Sequence, residues 1–507
     1  MADVRTRVAE AFDRADRLDP VLGTYLGRFT EEAAGAAERL DTAVADGAGT
    51  GPLHGLTLGV KDVFATREAP ASCQSRVHDV EWWAGRDAVP VARLRAAGAV
   101  PLGRTTMAEH ALGRPDPALD FPVPRNPWDI NRWTGGSSCG SANGLPAELF
   151  DVGLGTDSNG SIRIPAALCG VTGFKPTHGL VPDGGCRPLS RSLDVVGPLA
   201  RNVRDCASTL AVLAGGPDAT VWRTDLRGAR IGVPAKALEE SAQLSDDCAA
   251  AFAGALEELR EAGAEIVTVE LPEVYPLFAA QFITLLAEAF ELHGAGLRTR
   301  WAEYGRPFRR TAVLGGLVGA PTYLHAQRVR ASAAASLRER FEGLDAMATP
   351  TWPTTAPRYD DPAALGTVSW LPGLWSAVGF PAVAVPMGFG GDGMPLSLQL
   401  AGLPWSDFDL AALADVYQSA THWHLRRPDL AAGSLPAAVP VAEPQSSPGD
   451  PEQQRRLAAA LRDTGVDVDD AEVAEFTGMW GLTSMLFGFL PELPVDQGPL
   501  LPTPPPL

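Results

Sequence analysis

The chain has 507 residues, 45% of them hydrophobic and 20% charged, which excludes disorder of the whole and is enough to bury a sizeable core. Its 42 Lys and Arg against 61 Asp and Glu leave a formal charge of −19. That balance opposes binding to phosphate backbones and to anionic membranes, so a small neutral or cationic partner is expected, with no nucleic acid and no membrane.

The 19 N-terminal residues alternate charge with Val, Ala, Phe and Leu, as an amphipathic helix does and a signal peptide does not. No run approaches the ~18 apolar residues that span a bilayer. Six scattered cysteines form no C-x-x-C pair, and the eight His show no zinc spacing. Free thiols in a reducing cytoplasm, and no metal, are the expectation.

In chain order, residues 5–46 read as helical and Leu56 to Val60 as a short strand ending at Lys61-Asp62. A helix follows over 88–97, a strand over Ala99 to Leu102 and a helix over Thr105 to Leu112. Residues 113–134 are a Pro-rich loop, 135–141 a small-residue loop and Phe150 to Leu154 a strand. A second small-residue loop, 155–161, leads into Ile162-Arg163-Ile164-Pro165. Strands are expected at Arg230 to Val233, Ala264 to Leu271, Ala346 to Pro350, Ala382 to Met387 and Leu396 to Leu400. Helices are expected over 246–262, 274–342 and 407–421. This alternation is that of an α/β sheet protein.

Chemistry concentrates in three places. Lys61 closes an apolar strand; it either reaches solvent or is desolvated into a base. Gly136-x-Ser138-x-Gly140 fits a nucleophile elbow, but a long loop stands where the elbow needs a strand. Asp157 to Ser161 presents consecutive backbone amides before a serine, either as an ordinary turn or as an oxyanion hole.

Taken together, ordered segments resemble the amidase signature family of serine hydrolases. They are Gly51 to Gly55, Gly59 to Asp62, Arg95 to Ala99, Gly135 to Ser138, Gly155 to Asp157 and Gly160 to Arg163. Phe174 to Thr177, Val196 to Pro198, Thr349-Pro350, Gly379 to Ala382 and Leu398 to Leu400 continue the pattern. The resemblance implies an α/β/α fold around a large mixed twisted sheet. It implies Ser161 as nucleophile, Ser137 as bridging serine after a cis peptide bond, and Lys61 as base. Backbone amides of Ser158, Asn159, Gly160 and Ser161 would hold the oxyanion, with no cofactor. Met107, Ser138, Trp370 and Trp375 are the substrate-binding candidates, with core packing as the other reading of the two Trp. His110 and His178 are read as structural.

The chain departs from the family at Cys139 and Asn159, where Gly is usual. Cys139 is either a packing residue or a reactive thiol; Asn159 would narrow or polarise the pocket. The expected activity is hydrolysis of a small-molecule amide. The alternatives are acyl transfer to an amine, carbamate or ester cleavage, and a non-catalytic binding protein. The intact Lys61, Ser137 and Ser161 weigh against the last of these. The expected domains are a catalytic unit over 1–430, a Pro/Ala/Ser-rich linker over 431–451 and an acidic helical segment with a Pro-rich end over 452–507. That last segment weakly resembles small helical companion subunits. It could wrap the core, mediate a homodimer or cover the site entrance, or be a mobile tail with one docked amphipathic helix.

Overall fold

The computed structural model describes residues 3–216, 218–272, 274–430, 437–442 and 450–490. Among the described residues, eleven strands form one mixed sheet in the order β1-β3-β2-β4-β6-β5-β10-β11-β9-β7-β8. In chain order they are β1 (Tyr25–Arg28), β2 (Thr57–Lys61), β3 (Val100–Thr105), β4 (Val152–Asp157), β5 (Thr172–Lys175) and β6 (Val195–Ala200). The set is completed by β7 (Arg230–Val233), β8 (Glu265–Thr268), β9 (Ala346–Pro350), β10 (Ala382–Phe389) and β11 (Pro395–Ala401).

The central strands are buried almost throughout, on both faces of the sheet. Successive side chains still point to opposite faces. Leu58, Val60, Val383 and Val385 pack on one face with helices Val203–Ala214, Asp246–Glu261, Trp370–Ala377 and Asp407–Thr421. Val100, Leu102, Leu199 and Ala384 pack on the other with helices Val4–Leu22, Thr30–Ala45 and Arg163–Cys169. Each buried Leu or Val among these stabilises the fold by roughly 1.5–3 kcal/mol relative to exposure. The layering is the expected α/β/α architecture.

Two expected helices are corrected. Residues 5–46 are not one helical stretch: Gly23 turns at φ +58, and Asp19 Oδ1 accepts from the amides of Thr24 and Tyr25. That frees 25–28 to pair antiparallel with β3. Residues 105–112 hold only a single turn, Glu109–Ala111, with His110 at φ +45. Their amides are claimed by distant groups. Thr106 donates to the Thr24 carbonyl, Met107 to Gln74 Oε1, Ala108 to the Ser137 carbonyl and His110 to the Cys73 carbonyl. No i→i−4 ladder can form where these bonds are already committed.

The helix Val274–Thr299 is long and apolar enough to cross a membrane, but 56% of its apolar window is buried inside the fold. Of the expected linker, only 437–442 and 450–451 lie within the described residues. Val439 and Ala442 there bond to Asn131 and to the Tyr359 carbonyl. Over 452–507, where an acidic helical segment is expected, the described residues include helices Pro451–Asp463 and Asp470–Phe487; the Pro-rich end lies outside the described residues.

Candidate active site

Lys61 and Thr156 meet because β2 and β4 are parallel neighbours, with Val60 opposite Leu154. Both residues sit at the carboxyl ends of their strands, where open α/β sheets place ligands. Lys61 is fully buried, and its Nζ lies 2.8 Å from Ser137 Oγ and 2.7 Å from Thr156 Oγ1. Burial in this low-dielectric position pulls the Lys61 ammonium down to about 8, against a weaker opposing pull from neighbouring acidic groups. Near neutral pH an appreciable fraction is therefore an unprotonated amine.

Ser137 follows a cis peptide bond with Gly136. Its carbonyl accepts from the Ala108 amide at 3.1 Å. The two serine loops join directly, since the Ser138 amide donates to the Ser161 carbonyl at 3.1 Å. Ser161 is half-buried, whereas Ser137 and Lys61 lie in the buried interior. This order suits an accessible nucleophile with a sequestered relay.

The loop before Ser161 is braced by a buried charge pair. Arg163 Nη2 and Nε reach Asp157 Oδ1 and Oδ2, both at 2.9 Å, and both side chains are fully buried. Burial alone would raise the Asp157 carboxyl, but the Arg163 guanidinium and further donors together outweigh it and hold the group down at about 2. Asp157 also accepts from the Gly160 and Ile162 amides, and Arg163 continues to Gln399 and Ser376. Two glycines are needed here. Gly135, at φ +79, has the Pro165 backbone 2.6 Å from where a Cβ would sit. Gly160, at φ +94, has Pro372 equally close.

The Gly160 amide is thus already committed to Asp157 at 2.7 Å. Of the expected oxyanion donors, Ser158, Asn159 and Ser161 remain as candidates. Ser158 is itself anchored: its hydroxyl donates to Asp194 Oδ1 at 2.5 Å, and its carbonyl accepts from Gln281 Nε2 at 3.2 Å. Burial pushes the Asp194 carboxyl up to about 6. Asn159 Oδ1 and Gln281 Oε1, both beside Gly373, are buried without a protein partner.

The four substrate-binding candidates are all buried. Ser138 turns its hydroxyl onto the Thr156 carbonyl at 3.3 Å. Met107 is fully enclosed beside the Gln74 contact. Trp370 and Trp375 belong to the main core, the first donating to the Ser241 carbonyl and the second packing edge-on against Phe341. The helix they share covers the back of the Asp157–Gly160 loop through Pro372, Gly373 and Ser376. The elbow reading of Ser138 fails because no strand runs between β3 and β4, a stretch described in full, to carry it.

Cys139 is fully buried, with its thiol pushed up to about 11 by burial and its Sγ 3.5 Å from the Ser137 carbonyl. That is a packing role, not a reactive thiol. His110 packs against His293 and Phe308, and burial holds it neutral. Burial likewise lowers His178. Among the described residues, no group of three or more His, Cys, Asp or Glu is placed to hold a metal ion.

The family model for Amidase matches residues 7–411. The chain belongs to the amidase family. A glutamyl-tRNA(Gln) amidotransferase of Roseiflexus castenholzii has an A subunit that is 38% identical over 421 residues, covering 75% of this chain and 85% of the relative. The peptide amidase of Stenotrophomonas maltophilia superposes with a TM-score of 0.69 at 30% identity, covering 83% of this chain and 94% of its own. A structure described as a vestigial complex revealing the origins of an s-triazine catabolic enzyme gives a TM-score of 0.76 at 30% identity, covering 83% and 96%. The protein is therefore an enzyme of the amidase signature family. Thr156, Asp157, Arg163 and Asp194 are the residues sequence reasoning passed over as site-shaping groups. Thr156, Asp157 and Arg163 stand inside the family motifs, but only the fold shows what they hold.

Proposed function

We propose that the protein cleaves an amide C–N bond through an acyl-enzyme on Ser161. The observation that carries this is the buried Lys61, drawn down to about 8, with its Nζ 2.8 Å from Ser137 Oγ. Ser161 is a weak nucleophile until a base takes its proton. As Ser161 Oγ bonds to the amide carbon, its proton passes to Ser137 and the Ser137 proton to Lys61. The backbone amides of Ser158, Asn159 and Ser161 receive the negative oxygen. On collapse the C–N bond breaks, and the relay returns the proton to the leaving nitrogen. Water or an amine then attacks the ester and releases the acyl group.

Two fates of the acyl group follow. The relatives named as amidotransferase subunits favour amide-group transfer, and the likeness to peptide amidase favours hydrolysis. The charge of −19 weighs against direct handling of tRNA by this chain, so the donor substrate is read as a small amide. The test is intact-mass analysis after fluorophosphonate treatment, with peptide mapping, followed by an amide, ester and carbamate panel with and without an added amine. A single adduct on Ser161, slowed at least tenfold by Lys61→Ala and by Ser137→Ala, is expected. An adduct elsewhere, or none in folded protein, overturns the reading.

A further inference from the structure

The last described helices lie beyond the matched family region, which ends at residue 411, yet they are built into the molecule. Leu457, Leu461, Val466 and Val473 are buried in one apolar cluster with Met107, Leu297, Tyr304 and Phe308. Polar contacts fix the orientation. Arg298 Nε donates to the Thr464 carbonyl at 2.7 Å. Glu472 is buried, and both of its oxygens are occupied: Oε1 accepts from Arg309 Nε at 2.7 Å and Arg310 Nε at 3.4 Å, and Oε2 from Trp301 Nε1 at 2.9 Å. Arg310 also pairs with Glu475.

The segment held this way leads to the site. Arg309 Nη1 donates to the Tyr304 carbonyl at 3.1 Å, and the next amide, Gly305, donates to Glu109 Oε2 at 2.7 Å. Glu109 is buried and also accepts from Ser75 Oγ at 2.6 Å. One residue before it, the Ala108 amide holds the Ser137 carbonyl at 3.1 Å. Phe308 packs on His110 of the same loop, ring centres 5.0 Å apart. A continuous series of bonds thus runs from Glu472 to the bridging serine.

We propose that residues 450–490 are a built-in clamp: helix Asp470–Phe487 grips residues 301–310, and through Glu109 this keeps the Ser137 loop in register, so activity requires the docked tail. The clamp's effect on activity rests on the Ser161 acyl-enzyme reading. Its effect on the 107–112 loop does not. The partner surface on the core is the basic and aromatic patch of Trp301, Arg309 and Arg310, and the occupant is the chain's own acidic helix. Arg309 and Glu472 are positioning residues in this scheme, since they touch no substrate.

The test uses the full-length chain with a site-specific protease sequence in place of residues 443–449, cut after purification. Uncut Glu472→Gln should label on Ser161 within about twofold of wild type, because the tether keeps the effective concentration of the tail high. Cut wild type should keep its tail through gel filtration, and cut Glu472→Gln should shed it. On shedding, the fluorophosphonate rate at Ser161 should fall at least tenfold, and deuterium exchange should rise in 301–310 and 107–112. Adding the tail released from cut wild type in mild denaturant back to its core should restore both. Unchanged labelling and exchange after the tail has gone overturn the proposal, as does loss of the tail from cut wild type as readily as from the variant. If the uncut protein does not label but exchange in 107–112 still rises on shedding, the Ser161 reading fails and the clamp stands.

Discussion

Thr156→Val is the perturbation that most directly probes the base proposed at Lys61. Lys61 Nζ has two close hydroxyl neighbours, Ser137 at 2.8 Å and Thr156 at 2.7 Å. An unprotonated amine has one lone pair. If an N–H is spent on Thr156, the lone pair is free to face Ser137 and receive its proton. Valine keeps the shape and removes the acceptor. The lost bond costs about 1.5–3 kcal/mol in the transition state, a roughly ten- to hundredfold fall in the plateau rate. The pH midpoint moves too. Burial has already lowered Lys61 from 10.5 to about 8. At roughly 1.4 kcal/mol per unit, that is about 3 kcal/mol of selective penalty on the charged form. The Thr156 oxygen supports the ammonium more than the amine, so its removal lowers the midpoint further. The assay is the Ser161 labelling rate from about pH 6 to 10 in both proteins, with the wild-type midpoint expected near 8. An unchanged plateau, or a midpoint displaced upward, refutes the reasoning.

Other outcomes follow from the buried charges. Asp157→Asn leaves Arg163 charged and buried without its partner, and should cost about 3–5 kcal/mol, read as a lower denaturant midpoint. Because the Asp157 carboxyl is held at about 2 against an ordinary 3.8, its stabilisation is complete above that ordinary value and is lost as pH falls through about 2. Denaturant titrations across this acid window should therefore be flatter for Asp157→Asn. Lys175 is also fully buried, and burial, reinforced by Arg163, lowers it to about 7. Between about 7 and 10.5 the unfolded chain binds more protons than the folded one, so stability should rise with pH there. Lys175→Met should flatten that rise, and an unaltered slope counts against a neutral folded lysine. Cys139 should resist iodoacetamide in the folded protein while the less buried Cys186 reacts first, as mapped by mass spectrometry; early labelling of Cys139 would contradict its packing role.

Some of this was legible in the residues, for identifiable reasons. The strands at 57–61 and 346–350 are short, mostly apolar runs, and that at 395–401 alternates Leu with Ser and Gln, local signals that survive without tertiary context. The helix expected at 105–112 failed because its amides bond to Thr24, Gln74, Cys73 and Ser137, partners up to 82 residues away in sequence. Of the two readings of Trp370 and Trp375, the fold gives core packing, because their helix backs the Asp157–Gly160 loop with Pro372, Gly373 and Ser376 instead. Composition cannot tell a Trp that faces a ligand from one that faces Phe341.

The residues alone carry the α/β class, the motif order that marks the family, and the lysine and two serines proposed for the site. These are carried by short segments whose residue types have few physical substitutes: glycines at strained or crowded turns, a lysine at a strand end, hydroxyls in small-residue loops. The burial of Lys61, and its contact with Thr156 as well as Ser137, arise only in the folded chain. Folding likewise gives the Gly160 amide to Asp157 and the Ser158 hydroxyl to Asp194, and bonds an acidic helix beyond residue 470 to Arg309, whose neighbour Gly305 holds Glu109. Most of those contacts join residues tens to hundreds of positions apart, and a buried charge acquires its pKa from the whole of its surroundings, which exist only once the chain has folded.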